Sequence, residues 1–309
     1  MSKLKVSLYH IVKAFFVSSK PRRQLYVFAF TKSLKHLSWF RKEYPDDTKL
    51  KKYFNLLTIP EVLAQADELH DEEKFLDVYE LLDRIRFIND PEVLWRIARA
   101  LYNLNLGKDL NKQIRFIMMD EALFVLETAL GNGGSQNAEV HKWMAIILDT
   151  HYGLINLENR VKYASMVRNH LEKACELNPD DFTSYYMMGN WCYQMCRLTK
   201  FQRFIAKYFL ATEPPVSEYE VAYKYLQRAE ELRPRTVLAN LYLLGDTCKQ
   251  IGQYFKAKYY LNLAVNLKSN NENDKHIALQ AKNLLKKLQR YELGRNVLFY
   301  DPLSFNDQI

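Results

Sequence analysis

The sequence predicts an all-α protein made of antiparallel helix pairs repeated along the chain, and three observations carry that expectation. Only nine Gly and nine Pro punctuate 309 residues, too few for the many turns of an all-β protein of this length, so long helices are expected. Apolar residues recur every three or four positions from Pro60 onward, the spacing that gives a helix one buried face. Small residues also recur at fixed distances: Gly245 to Ala257 is twelve positions and Ala257 to Ala264 seven. Two helices can cross closely there only because no bulky side chain holds them apart. With 48% hydrophobic residues, the chain has enough apolar surface for a large continuous core.

Residues 1–59 stand apart. Through residue 42 there are ten basic residues and no acidic one, which leaves 34 basic against 36 acidic for the remainder, so the net charge of +8 belongs to this segment. Leu4, Leu8, Ile11, Val12 and Phe15 follow helical spacing. A basic, Ser-containing, acid-poor amphipathic segment suits a targeting sequence or a membrane-surface helix, and equally a helix packed on the repeats. Lys13, Arg22 and Lys32 interrupt every apolar run, so no membrane span is expected here.

Residues 60–293 are expected to form the repeat domain. The first repeat, from about Glu61 to Pro91, carries helix periodicity in Leu63, Ala66 and Leu69 and then in Phe75, Val78, Leu82 and Ile85. The second pairs Trp95, Ala98, Arg99 and Tyr102 with Ala122, Leu126 and Ala129, and Gly131 to Gly134 stops it. The third runs from Trp143, Ile146 and Ile147 to Val167, Leu171, Ala174 and Pro179. In the fourth, Tyr185, Met188, Gly189 and Cys192 precede Ala222, Leu226, Ala229 and Pro234, with an insertion of about 21 residues between the helices when measured against a 34-residue period. A helix is expected in that insertion near 197–212. Pro lies five positions after the packing Ala in both the third and fourth repeats, ending one helix and starting the next turn. The fifth repeat begins near Thr236 and sets Leu241, Leu244, Gly245 and Cys248 against Ala257, Leu261 and Ala264. Finally Ile277, Ala281, Leu284, Leu285 and Leu288 share one face of a helix whose other face holds Lys282, Lys286, Lys287 and Arg290, a pattern suited to closing the last repeat. Residues 294–309 form a tail. The whole is a tetratricopeptide-like superhelix of antiparallel helix pairs with a C-terminal capping helix.

No catalytic constellation emerges. The seven His show no HExxH pairing, and Cys192 with Cys196 share a helix face but lack a second ligand pair at metal spacing. All four Cys lie in apolar helical pattern and are expected as reduced core thiols. No GxxxxGK[ST] follows Gly131 to Gly134, and Asp180 with Asp181 after Pro179 suits a helix N-cap. No enzyme activity, metal, cofactor or nucleic-acid partner is therefore expected.

The surfaces say more. Arg197, Lys200, Arg203 and Lys207 are spaced three, three and four apart, as one cationic helix stripe would be, beside an apolar face of Phe201, Phe204, Ile205, Tyr208 and Phe209. Such a stripe suits an acidic partner, and it is also what an ordinary amphipathic helix exposes to water. A cavity under this helix, lined by Trp191, Phe204 and Phe209, would suit acyl chains, with Arg203 or Lys207 at a phosphate. The run Asp71 to Glu80 resembles short acidic peptides that bind an endoplasmic reticulum adaptor family, although Phe75, Val78 and Leu82 already serve a helix face.

At Glu92 to Ala100, His141 to Trp143, Met188 to Tyr193, Gln202 to Lys207 and Ala211 to Pro215, the chain resembles the regulator of microtubule dynamics family over roughly residues 60 to 290. The resemblance includes the insertion and is thus more specific than the repeat alone. It implies a non-catalytic protein that associates with tubulin in microtubules and spindle poles and supports chromosome segregation, in the cytoplasm. A branch of the family implies an alternative, phospholipid binding and transfer at mitochondrial or endoplasmic reticulum contacts, with the basic N-terminal segment directing the protein to mitochondria.

Overall fold

The computed structural model describes residues 58–107, 110–209, 213–269 and 271–295, its side-chain description leaving out residue 209 and residues 289–295. The expectations for the basic N-terminal segment and for the tail after Arg295 lie outside these residues. Every regular element among the described residues is helical. The chain divides into two compact units, the first ending at Ile155 and the second starting at Asn156.

The first unit holds α1 (Ile59–Asp71), α2 (Phe75–Asp83), α3 (Pro91–Asn105), α4 (Lys112–Gly131) and α5 (Ala138–Ile155), and each of α2 to α5 packs on the helix before it. Local chemistry sets their starts. Thr58 and Glu61 form a reciprocal capping box ahead of α1, with the Thr58 amide donating to Glu61 Oε2 at 2.6 Å. Asp90 accepts from the Glu92 amide and Pro91 occupies the first turn of α3, while Asn111 caps α4. The Gly131 to Gly134 stop behaves as expected. Gly133 takes a left-handed φ of 93°, and a Cβ on Gly134 would lie 2.6 Å from the Ala129 carbonyl oxygen. Val78 and Tyr79 are buried within α2, which excludes the adaptor-binding reading of Asp71 to Glu80: an extended peptide cannot be offered from a helix that uses those side chains as core.

The second unit holds α6 (Leu157–Lys162), α7 (Ala164–Leu177), α8 (Phe182–Arg197), α9 (Lys200–Phe209), α10 (Tyr219–Leu232), α11 (Leu238–Gln250), α12 (Tyr254–Asn266) and α13 (Glu272–Arg295). The boundary between units falls inside the third expected repeat, whose first helix is α5 and whose second is α7. Asp181 caps α8 by accepting from the Ser184 amide at 3.0 Å, the role expected of the carboxylate pair after Pro179. The small-residue spacing finds its cause in two equivalent crossings. A Cβ on Gly189 of α8 would lie 2.6 Å from Leu226 Cγ on α10, and one on Gly245 of α11 would lie 2.5 Å from Leu261 Cγ on α12. Antiparallel pairs meeting through a Gly, with Ala222 and Ala229 or Ala257 and Ala264 fully buried on the partner helix, are the tetratricopeptide arrangement.

Helix α13 caps the array as its sequence predicts. Ala281, Leu284 and Leu288 join one core cluster with Leu241, Cys248, Ala257, Leu261 and Ala264. Lys282, Lys286 and Lys287 remain exposed on the opposite face.

Candidate functional site

The inserted helix α9 departs from the usual amphipathic rule. Thr199 starts it: its hydroxyl accepts from the Gln202 amide at 3.2 Å, while its own amide donates to Gln202 Oε1 at 2.8 Å. The side turned to the protein carries Ala206, which is buried, and Arg203, which is half-buried. The side turned to water carries Phe201 at 70% exposure, Phe204 at 51% and Tyr208 at 67%. Phe204 and Tyr208 rest against each other with ring centroids 4.6 Å apart. Of the apolar face predicted for this helix, Phe201, Phe204 and Tyr208 point outward, while Ile205 is half-buried.

Arg203 explains the inversion. Its Nη1 donates to the carbonyl oxygens of Pro214 at 3.1 Å and Pro215 at 3.0 Å, and its Nη2 donates to Met195 O at 2.6 Å. One guanidinium thus ties the last turn of α8 to the segment that follows α9. Prolines supply no amide hydrogen and leave their carbonyls to be satisfied by a side chain. Arg203, expected as a partner-binding cation, serves in the structure as an internal clip, both of its terminal nitrogens donating to backbone oxygens.

The expected four-residue stripe is also divided between elements. Helix α8 ends at Arg197 because Leu198 adopts extended backbone with ψ of 115°, so Arg197 does not share a helix with Lys200, Arg203 and Lys207. Arg197 is exposed and its guanidinium stands over the Tyr193 ring, 5.6 Å from the centroid. Lys200 is exposed. Lys207 lies 3.3 Å from Glu213, both largely in solvent, a pairing too screened to hold the ammonium against a better anion.

The three residues placed in an acyl-chain cavity separate in the same way. Trp191 is buried in α8 at 8% exposure, with Arg168 over its ring at 5.8 Å, whereas half of Phe204 faces water. Phe209 Cβ and beyond lie outside the described side chains. Trp191 and Phe204 do not line one closed cavity.

Sequence reasoning missed two polar groupings, one buried and one partly exposed. Tyr193 of α8 donates its hydroxyl to Asp246 of α11, a partner 53 positions away, and Asp246 also accepts from Gln250. Burial and the neighbouring carboxylate push the Tyr193 phenol far up, so it stays a protonated donor. In the first unit Asp67 of α1 accepts from Arg96 at 2.8 Å and Arg99 at 2.5 Å, both on α3, and both guanidiniums stand over Trp95. Burial would raise the Asp67 carboxyl, but the two arginines outweigh it and hold it below its ordinary value. An i, i+3 pair of arginines in α3 was visible in the sequence; its partner on α1 had no local signal. The thiols of Cys175 and Cys248 are pushed up to about 12 by burial, as core thiols are. Among the described residues no group of three or more His, Cys, Asp or Glu is placed to hold a metal ion, and no helix is long and apolar enough to cross a membrane.

The family model for regulator of microtubule dynamics proteins 1–3 matches residues 62–289, covering α1 to α13 together with the α9 insertion. The chain belongs to the regulator of microtubule dynamics family. Regulator of microtubule dynamics protein 1 of Mus musculus is 35% identical over 227 residues, 74% of each chain, and its Bos taurus counterpart is 36% identical over 228 residues, 74% of this chain and 71% of that one. Regulator of microtubule dynamics protein 3 of Xenopus laevis is 29% identical over 240 residues, 75% of this chain but 50% of its own length. Among solved structures, a thermophilic tetratricopeptide protein of Thermus thermophilus covers 72% of this chain and 97% of its own at 15% identity, with a TM-score of 0.46. For this member of the regulator of microtubule dynamics family, the helix-pair crossings at Gly189 and Gly245 carry the fold assignment by themselves.

Proposed function

We propose that this protein is a non-catalytic microtubule-associated protein that regulates microtubule dynamics and supports chromosome segregation through its tetratricopeptide-like repeats. The observation that carries the proposal is the family match, which spans residues 62–289 and so takes in the repeats and the insertion. Exposed cations in the second unit supply the physical contact. Arg197 and Lys200 lie around the α8–α9 junction, Lys207 is held only by a solvent-exposed pairing with Glu213, and Lys282, Lys286 and Lys287 line the outer face of α13. The carboxylate-rich tails of tubulin are a complementary surface, and Coulomb attraction of exposed groups gives modest, salt-sensitive binding. The protein would then reside in the cytoplasm on microtubules or spindles, with residues 1–59 as the segment that could send it to mitochondria.

Charge reversal tests the contact. Arg203 is left alone because reversing it would break the clip between Met195 and the two prolines. Arg197→Glu with Lys200→Glu and Lys207→Glu is expected to weaken pelleting with taxol-stabilised microtubules about tenfold or more at low salt while far-UV circular dichroism stays that of the parent. Unchanged pelleting of a folded triple variant would remove these cations from the interface.

A further inference from the structure

Helix α9 presents to water a surface that water alone does not favour. Its sequence Lys200 to Phe209 contains no acidic residue. With a helix advancing about 100° per residue, Phe201 and Tyr208 lie at the centre of the solvent face, opposite buried Ala206. Phe204 sits on one side of them, and Lys200 and Lys207 together form the shoulder beyond Phe204. Arg203 fixes that orientation by its three carbonyl contacts, so the aromatic rings cannot roll inward without breaking them. A face of aromatic rings edged by lysines, on a short helix held at the protein surface, has the composition of a helix that lies at a membrane–water boundary.

We propose that α9 docks the protein on anionic lipid bilayers, the rings of Phe201, Phe204 and Tyr208 entering the headgroup boundary and Lys200 and Lys207 meeting lipid phosphates and carboxylates. An acidic peptide would satisfy the lysines but leave the three rings in water; a bilayer satisfies both. Charge complementarity extends beyond the helix. Residues 1–42 of the same chain add ten basic residues and no acidic one, and membrane attachment of useful strength takes two such weak elements acting together. The surface pair of Lys207 with Glu213 is exposed enough to yield to a phosphate.

The test uses the full chain and flotation with vesicles of phosphatidylcholine alone and of phosphatidylcholine with phosphatidylserine. The parent is expected to float with the anionic vesicles. Phe201→Ser with Phe204→Ser and Tyr208→Ser is expected to lower that binding about tenfold, while its circular dichroism and its pelleting with microtubules stay those of the parent, since exposed rings contribute little to the fold and the cations are untouched. Lys200→Glu with Lys207→Glu is expected to lower vesicle binding as well. Failure of the parent to float, or equal flotation of parent and aromatic variant, would overturn the proposal, the latter assigning binding to the N-terminal segment. A parent that sediments as a dimer and an aromatic variant that is monomeric would overturn it too, because the face would then join two copies. None of these three results bears on microtubule pelleting, so the two proposals fail separately.

Discussion

Single residues decide how closely the helices approach. At Gly189 an added Cβ would meet Leu226 Cγ at 2.6 Å and the Leu226 backbone nitrogen at 3.0 Å; at Gly245 it would meet Leu261 Cγ at 2.5 Å and the Ala257 carbonyl oxygen at 3.2 Å. The leucine tips can turn aside, but the backbone atoms behind them cannot. Gly189→Ala and Gly245→Ala are each expected to destabilise the protein by about 1–3 kcal/mol, read as a lower urea midpoint. Wild-type midpoints for both would show that the crossings have slack. A second residue-scale expectation concerns pH. The Asp67 carboxyl is held below its ordinary 3.8 by Arg96 and Arg99, so its ionised form stabilises the fold above that pH and the contribution is lost as pH falls through the depressed value. Asp67→Asn should therefore be less stable than the parent at pH 7, by about 1 kcal/mol after allowing for its partial exposure. The gap should narrow in urea titrations below about pH 4, and a gap independent of pH would assign the loss to packing instead.

At the scale of elements, legibility in the sequence divides along a physical line. The helix pairs could be read because their signals are local: Gly and Ala at fixed spacing, Pro after the packing Ala, and Asp181 ahead of its helix. The capping role of α13 could be read for the same reason, since one face carries Ala281, Leu284 and Leu288. The orientation of α9 could not. Its periodicity shows an apolar face and a basic edge, and which of them turns inward is decided by carbonyl oxygens of Met195, Pro214 and Pro215, none of them within the helix. Tyr193 with Asp246, and Asp67 with Arg96 and Arg99, stayed hidden because each joins helices far apart in sequence. Arg203→Gln tests the clip: a shorter, uncharged side chain cannot span three carbonyls, so backbone amides in residues 213–218 are expected to exchange hydrogen at least about tenfold faster, with protection in α11 and α12 unchanged. Parental protection after residue 212 would mean that other contacts hold the segment.

Taken as a whole molecule, the protein is an array whose helices are consumed by their own packing and whose surplus chemistry lies on the surface. Buried thiols, capped carboxylates and paired arginines all serve the fold. The outward surface of the second unit carries both signs, with Glu176, Asp180 and Glu272 exposed, but cations gather around Arg197 and Lys200 and along Lys282, Lys286 and Lys287, and α9 adds an aromatic face. Exposed charges such as these act over about a Debye length and lose most of their reach as ionic strength rises. A repeat protein that meets an acidic filament in this way should bind it readily at low salt and release it without unfolding. The measurement that decides this is cosedimentation of the full chain with taxol-stabilised microtubules across a salt series. The account predicts saturable pelleting that weakens steadily as salt is raised, whereas no pelleting at the lowest salt, or pelleting indifferent to salt, would contradict it.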